Sequence, residues 1–282
     1  NDATKSGYYQ DEAVYFGFTK AENTPPLSST KWNVGGVLRL LTKNSLDPSD
    51  WVLSRVIDNI GPVTAAVAKL QNYTNNDTWL FFGTGRYFFK IFDDIDDQNN
   101  GRSLYGIKEP CYSSSGINNT CTSSVSRSQL GDATAAKSTD SDGWYIDLDT
   151  CTDATGTQVN CSDAAAMFKP ARNVTDPLAT TMGAVFFTTT QPNADLCEFG
   201  GASHIWAVDY GTGGSVSSSK LRGKALMQVS TGSIEEVDLR SAFAEKGGRR
   251  STAIQGVPPA GAPPGIIVPP PPVNRIFHIR EK

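Results

Sequence analysis

The sequence predicts an all-β chain built from short antiparallel strands. Aromatic and β-branched residues gather in short runs, as in residues 80–82, 143–148, 181–190 and 203–210, which is strand composition. The 26 Gly and 16 Pro residues separate these runs as turn punctuation does, and no stretch carries a convincing helical period. Residues 35–40, 102–107 and 203–209 also share one pattern: small or polar, hydrophobic, aromatic or Arg, small, hydrophobic. That pattern suggests equivalent strands of successive units. Roughly ten to twelve strands, at about four per blade, make about three blades of a β-propeller. Residues 1–246 therefore read as the C-terminal portion of such a domain, its remaining blades lying upstream, and residues 247–282 as a Pro-rich tail.

In chain order, residues 13–18 (AVYFGF) form a strand after a polar start. Residues 24–30 are a Pro/Ser loop, residues 32–42 a glycine-broken strand, residues 45–51 a turn and residues 51–57 another strand. Residues 61–70 fit a strand in an all-β context, although their alanines also allow a short helix. Residues 80–82 run through the turn Gly83-Thr84-Gly85 into residues 86–89, and after the acidic segment 93–100 a strand resumes at residues 103–107. Residues 109–142 form a long polar excursion. Residues 143–148 alternate, with Trp144, Ile146 and Leu148 on one face. A second polar excursion leads to strands at 181–190 and 203–210, a glycine turn at 211–214, and strands at 225–230 and 234–239. The tail carries Pro258-Pro259, Pro263-Pro264 and Pro269 to Pro272 and is extended. It ends in the alternating residues 275–280, which either dock back onto a sheet or are offered to a partner.

The net charge of −4 over 282 residues gives no basic face for nucleic acid or an acidic membrane. No run of eighteen apolar residues exists, so no helix spans a bilayer. Among the five cysteines, Cys111 and Cys121 are ten apart, as are Cys151 and Cys161, each pair enclosing exposed-loop composition. Two local disulfides, Cys111–Cys121 and Cys151–Cys161, order such loops. Zinc fits poorly, for there is no CxxC and there are two histidines. Cys197 is left over, as a buried free thiol or paired outside the chain. The compartment reads as oxidising: periplasm, cell surface or beyond.

Two segments place oxygen ligands at alternate positions before a glycine, as a calcium loop does. Asp96, Gln98 and Asn100 precede Gly101, with Ile107 where the bidentate carboxylate belongs. Ser138, Asp140 and Asp142 precede Gly143, with Asp147 and Asp149 at the tenth and twelfth positions, although residues 143–148 already read as strand. Both segments also read as solvated acidic turns. His204 and His278 sit in alternating strands with no second ligand at useful spacing. Gly83-Thr84-Gly85 lacks the third glycine and following helix of a dinucleotide loop, Gly223-Lys224 lacks the surroundings of a P-loop, and no G-x-S-x-G exists.

The ordered motifs FFGTGRYF, SLYGI, GWYIDL, DPLATTMGAVFFTT, LCEFGGASHIWAVDY and STGSIEEVDL are similar to the C-terminal propeller of PilC/PilY-type proteins. The resemblance covers most of residues 11–245 and extends to the Pro-rich tail. It implies an exported, non-enzymatic factor of type IV pilus assembly that opposes retraction and acts as a tip adhesin. It also implies a pilus-tip or outer-membrane location, with major or minor pilins and an adhesion surface or receptor as partners. Calcium is implied by a family loop just before a strand like residues 13–17. The corresponding residues 1–12 contain Asp2, Asp11 and Glu12 at a different spacing. Residues 207–213 (AVDYGTG) resemble the blade-end turn of quinoprotein-like propellers, which keeps a periplasmic redox or cofactor-binding propeller as the alternative.

Overall fold

The structure is a computed structural model that describes residues 13–20, 32–72, 74–86, 90–91, 94–95, 101–194, 201–217, 221, 224–230, 233–238 and 250–252. It is all-β; among the described residues the only helical turns are the 3₁₀ segments Pro48–Asp50 and Arg127–Gln129. No helix among them is long and apolar enough to cross a membrane.

Three main sheets follow one another. Strands β1 (Ala13–Lys20), β2 (Val34–Leu41) and β3 (Val52–Ile60) form a first sheet in that order. Next come β4 (Ala68–Asn72), β5 (Asp77–Gly83), the small hairpin β6 (Lys90–Ile91) and β7 (Asp94–Ile95), and β8 (Ser103–Lys108). The first disulfide segment holds the hairpin β9 (Tyr112–Ser113) and β10 (Gly116–Ile117), then β11 (Gly131–Asp132) and β12 (Gly143–Asp147). The central sheet has the order β11-β12-β8-β5-β4, all antiparallel except the parallel β11–β12 pair. After the hairpin β13 (Cys151–Thr152) and β14 (Gln158–Val159), strands β15 (Leu178–Ala179), β16 (Ala184–Pro192) and β17 (Gly201–Asp209) build the third sheet. The hairpin β18 (Lys224–Ser230) and β19 (Ser233–Asp238) lies against β16 and β17, and β20 (Arg250–Thr252) closes the third sheet beside β17.

The alternation of side chains along strands explains the stacking. On β5, Leu80 and Phe82 join Tyr105 and Ile107 of β8 and meet Val37, Val56, Ile57 and Ile60 of the first sheet. The opposite face presents Trp79, Phe81, Leu104, Trp144 and Ile146 to Val185, Phe187, Trp206 and Val208 of the third. The central sheet is thus apolar on both sides and sealed between its neighbours. The apolar run at residues 80–82 is the sequence form of that burial.

Several elements depart from the sequence reading. Only Ala68–Asn72 of the stretch 61–70 is strand. The preceding backbone bonds elsewhere: Pro62 accepts from Gly85 N at 2.8 Å, Val63 N donates to Phe18 O at 3.4 Å, and Ala66 N donates to Asp176 Oδ1 at 2.8 Å. The strand expected from residue 181 begins at Ala184, because Gly183 (φ +82°) is still in a turn. Arg86 lies outside any strand. Residues 87–89, Cys197, Gly223 and residues 253–282, with the proline runs and His278, lie outside the described residues, whereas residues 250–252 of the expected tail form β20.

Candidate functional site

The three sheets converge on Gly83-Thr84-Gly85. Thr84 is fully buried; its hydroxyl donates to Gly101 O at 2.7 Å and accepts from Ser103 N at 2.7 Å. Gly85 N reaches Pro62 O beyond the first sheet, while Thr84 O accepts from Asn173 N at 3.0 Å beside the third. A Cβ at Gly83 would lie 2.3 Å from Asn173, and one at Gly85 (φ +141°) 2.4 Å from Arg172. The glycines therefore serve close backbone approach. Arg172 is buried there, donates to Arg86 O at 3.3 Å, and is pushed down to about 10 by burial.

Beside this junction lies a charged cluster. Arg102 pairs with Asp149 at 3.0 Å, and the same carboxylate accepts from Gly101 N at 2.8 Å. Burial lowers the Arg102 guanidinium against the opposing pull of Asp149. Arg127 lies 4.1 Å above the Tyr145 ring and donates to Ser103 Oγ at 2.9 Å, Tyr105 Oη at 3.1 Å and Asp147 Oδ2 at 3.1 Å. Burial, and then the charge of Asp149, raise the Asp147 carboxyl above its ordinary range although Arg127 opposes this.

The second candidate calcium segment is placed as follows. Strand β12 runs between Asp142 and Asp147 and carries Asp147 away from Asp140 and Asp142 to the Arg127 guanidinium. Asp140 N instead bonds Ser138 Oγ at 3.1 Å, and Asp142 O accepts from Lys108 N at 3.0 Å. Among the described residues no three His, Cys, Asp or Glu side chains form a metal-sized group. Asp96 and Asn100, like Asp2, Asp11 and Glu12, lie outside the described residues.

Both cysteine pairs are joined, with sulfurs 1.97 Å apart for Cys111–Cys121 and 2.00 Å for Cys151–Cys161. The first bridge is not the exposed staple its surroundings suggest. Cys111 and Ile117 are buried against Ala13 and Leu41. Beside them Arg39 forms a fully buried ion pair with Glu109 and donates to Ser123 O at 2.9 Å. Burial first, and then the Glu109 charge, raise the Tyr15 phenol far above its ordinary value.

His204 is buried in β17. Asp209 accepts from Gly211 N and Thr212 Oγ1 at 3.2 Å each, so its carboxylate closes its own turn. One surface the sequence reading passed over is the outer face of the first sheet. Val14 (42 %), Phe16 (39 %) and Leu53 (58 %) are exposed there, beside half-buried Phe18, Leu38 and Leu40. Register makes them neighbours, Val14–Leu40–Leu53 in one row and Phe16–Leu38 in the next. The signal was alternation: both faces of β1 and β2 carry apolar residues, where a solvated sheet has one.

Comparison of the chain with protein-family models, with curated proteins and with solved structures gives no match.

Proposed function

We propose that the chain is the C-terminal part of a PilC/PilY-type β-propeller, a non-catalytic, cell-surface factor that supports type IV pilus assembly, opposes retraction and contributes to adhesion at the pilus tip. The observation that carries the fold half of this reading is the central sheet, apolar on both faces and sealed between two others. Face-to-face stacking of small antiparallel sheets is how propeller blades pack. The three pattern-sharing segments fall on β2, β8 and β17, each an interior strand of a different sheet. In the meanders β4-β5-β8-β12 and β15-β16-β17-β20, both β8 and β17 are third. The functional half rests on the resemblance of the ordered motifs, with pilins and an external adhesion surface as partners. Two disulfide-anchored excursions suit an exported protein.

The test is genetic and biochemical. Deleting residues 13–252 from the protein in its own cell is expected to reduce surface piliation and twitching, and the purified protein to retain pilins. Unchanged piliation, or a quinone or haem absorption band in the purified protein, overturns the reading.

A further inference from the structure

The chain contains five Asn-x-Ser/Thr triplets, beginning at Asn72, Asn76, Asn118, Asn160 and Asn173. Such a triplet is an acceptor for N-linked sugar where its amide lies at the surface. The fold sorts the five. Asn173 is fully buried, its Nδ2 donates to Thr188 O at 2.8 Å, and Thr175 is buried beside it. Asn72 Nδ2 is likewise engaged, donating to Tyr210 Oη at 2.8 Å. Asn76 is exposed, but Thr78 at the third place of its triplet is buried inside β5. Asn160 and Ser162 are exposed, yet the residue between them is the disulfide-bonded Cys161, and no hydrogen bond from Ser162 reaches the Asn160 amide.

The triplet Asn118-Asn119-Thr120 differs from all of these. It directly follows β10, and both Asn118 and Thr120 are exposed. Asn118 N donates to Cys111 O at 2.9 Å and Asn118 O accepts from Cys121 N at 3.1 Å, so its backbone is fixed beside the first disulfide. Thr120 folds back onto the amide. Its N and its Oγ1 both donate to Asn118 Oδ1, at 3.0 and 2.9 Å. A backbone N–H can only donate, so these bonds fix which end of the side chain is oxygen. Hydrogen bonds donated to Oδ1 favour the form that carries negative charge there. That makes the Nδ2 protons more acidic, and losing one leaves a nucleophilic nitrogen. Asn118 alone among the five has its hydroxyl residue bonded to the amide in this way.

We propose that Asn118 is a glycosylation site, whose Nδ2 accepts a sugar from a glycosyl phosphate donor, with Thr120 as the residue that positions and polarises the amide. Nδ2 attacks the anomeric carbon of the donor. The C–N bond forms, the C–O bond to phosphate breaks, and the phosphate leaves with the bonding pair. The Nδ2 proton passes to a base of the transferase, and no oxidant or reductant takes part. The sugar then stands on the first disulfide-anchored excursion, clear of the cores on either side of the central sheet. The proposal is independent of the pilus assignment.

Peptide mapping by mass spectrometry tests it on the protein purified as its own cell makes it. Expected is a glycan on the peptide that spans Asn118, and none on those that span Asn72 and Asn173. Asn118→Gln and Thr120→Ala are each expected to lose the added mass, and Thr120→Ser, which restores a hydroxyl, to keep it. An unmodified Asn118 in the cell-made protein overturns the proposal. So does added mass that persists in Asn118→Gln, which assigns it to another side chain, or undiminished occupancy in Thr120→Ala. A glycan at the buried Asn173 overturns the selection by the fold, and the proposal with it. Protein withheld from export tells the donors apart, and either result supports the site: a glycan already present there assigns a nucleotide-linked sugar, and one that appears only after export a lipid-linked sugar. Piliation enters none of these readouts, so failure of the pilus assignment and failure of the site are distinguishable.

Discussion

Arg39 and Glu109, 70 residues apart in the chain, form an ion pair in which neither side chain meets solvent. Arg39 comes from the middle of β2 and Glu109 directly follows β8, so the pair bolts the first sheet to the central one. Breaking a buried pair leaves an uncompensated charge. Arg39→Met or Glu109→Gln alone is expected to cost about 3–5 kcal/mol in urea unfolding. The double substitution Arg39→Met/Glu109→Leu should cost less than the sum of the single changes, because it removes both charges from the interior.

Trp144 is clamped between two glycines. A Cβ at Gly106 would lie 2.4 Å from its indole and one at Gly213 2.7 Å, while its Nε1 donates to Tyr210 O at 2.8 Å. Neither the ring nor the backbone has room to yield. Gly106→Ala is expected to destabilise by about 1–3 kcal/mol and Trp144→Ala by about 3–5 kcal/mol, read as denaturation midpoints. Gly156→Ala is a useful contrast for space, since nothing lies within 4 Å of its Cβ position; its φ of +83° leaves backbone strain as its cost.

Asp147 sets a pH dependence of definite sign. Burial and Asp149 raise its folded-state pKa, so the native state holds this proton more tightly than the unfolded chain. The associated stability is fully present below the ordinary carboxylate pKa of about 3.9 and is lost as pH rises through the raised value. Relative to Asp147→Asn, the unsubstituted protein should therefore gain stability as pH is lowered from 7 toward 4. A gap between the two that stays constant over that range contradicts the assignment.

The two disulfides close loops of equal length, and the chain-entropy argument gives each about 3 kcal/mol. Their surroundings separate them. Arg39 donates to Ser123 O just beyond Cys121, whereas Cys161 is exposed. The Cys111→Ser/Cys121→Ser protein should thus lose more than the Cys151→Ser/Cys161→Ser protein in thermal unfolding. Non-reducing peptide mapping checks the pairing itself.

Strands were legible wherever a residue run stated its own burial. Trp144, Ile146 and Leu148 alternate, and all three enter one core. The continuous run Leu80, Phe81, Phe82 declares a strand with no wet side. Less legible was anything set by a distant partner. Residues 61–67 have strand composition, yet their backbone bonds run to residues 18, 85 and 176, which no local pattern encodes. The Arg39–Glu109 pair was invisible for the same reason: each residue reads as an ordinary surface charge until two sheets meet. Asp140 and Asp142 precede the extended strand β12, which ends at Asp147, as the alternation of residues 143–148 already indicated.

The two-sided burial of the central sheet also orders events during synthesis. Its strands are complete once Asp147 has been made, and one face can then close on the first sheet. The other face must wait for Phe187, Trp206 and Val208, some sixty residues later at about 5–20 residues per second. For those seconds Trp79, Phe81 and Trp144 lie uncovered on a nascent chain. The segment between Asp147 and Val208 is therefore where a chaperone has most to do, and where a translational pause would be most costly.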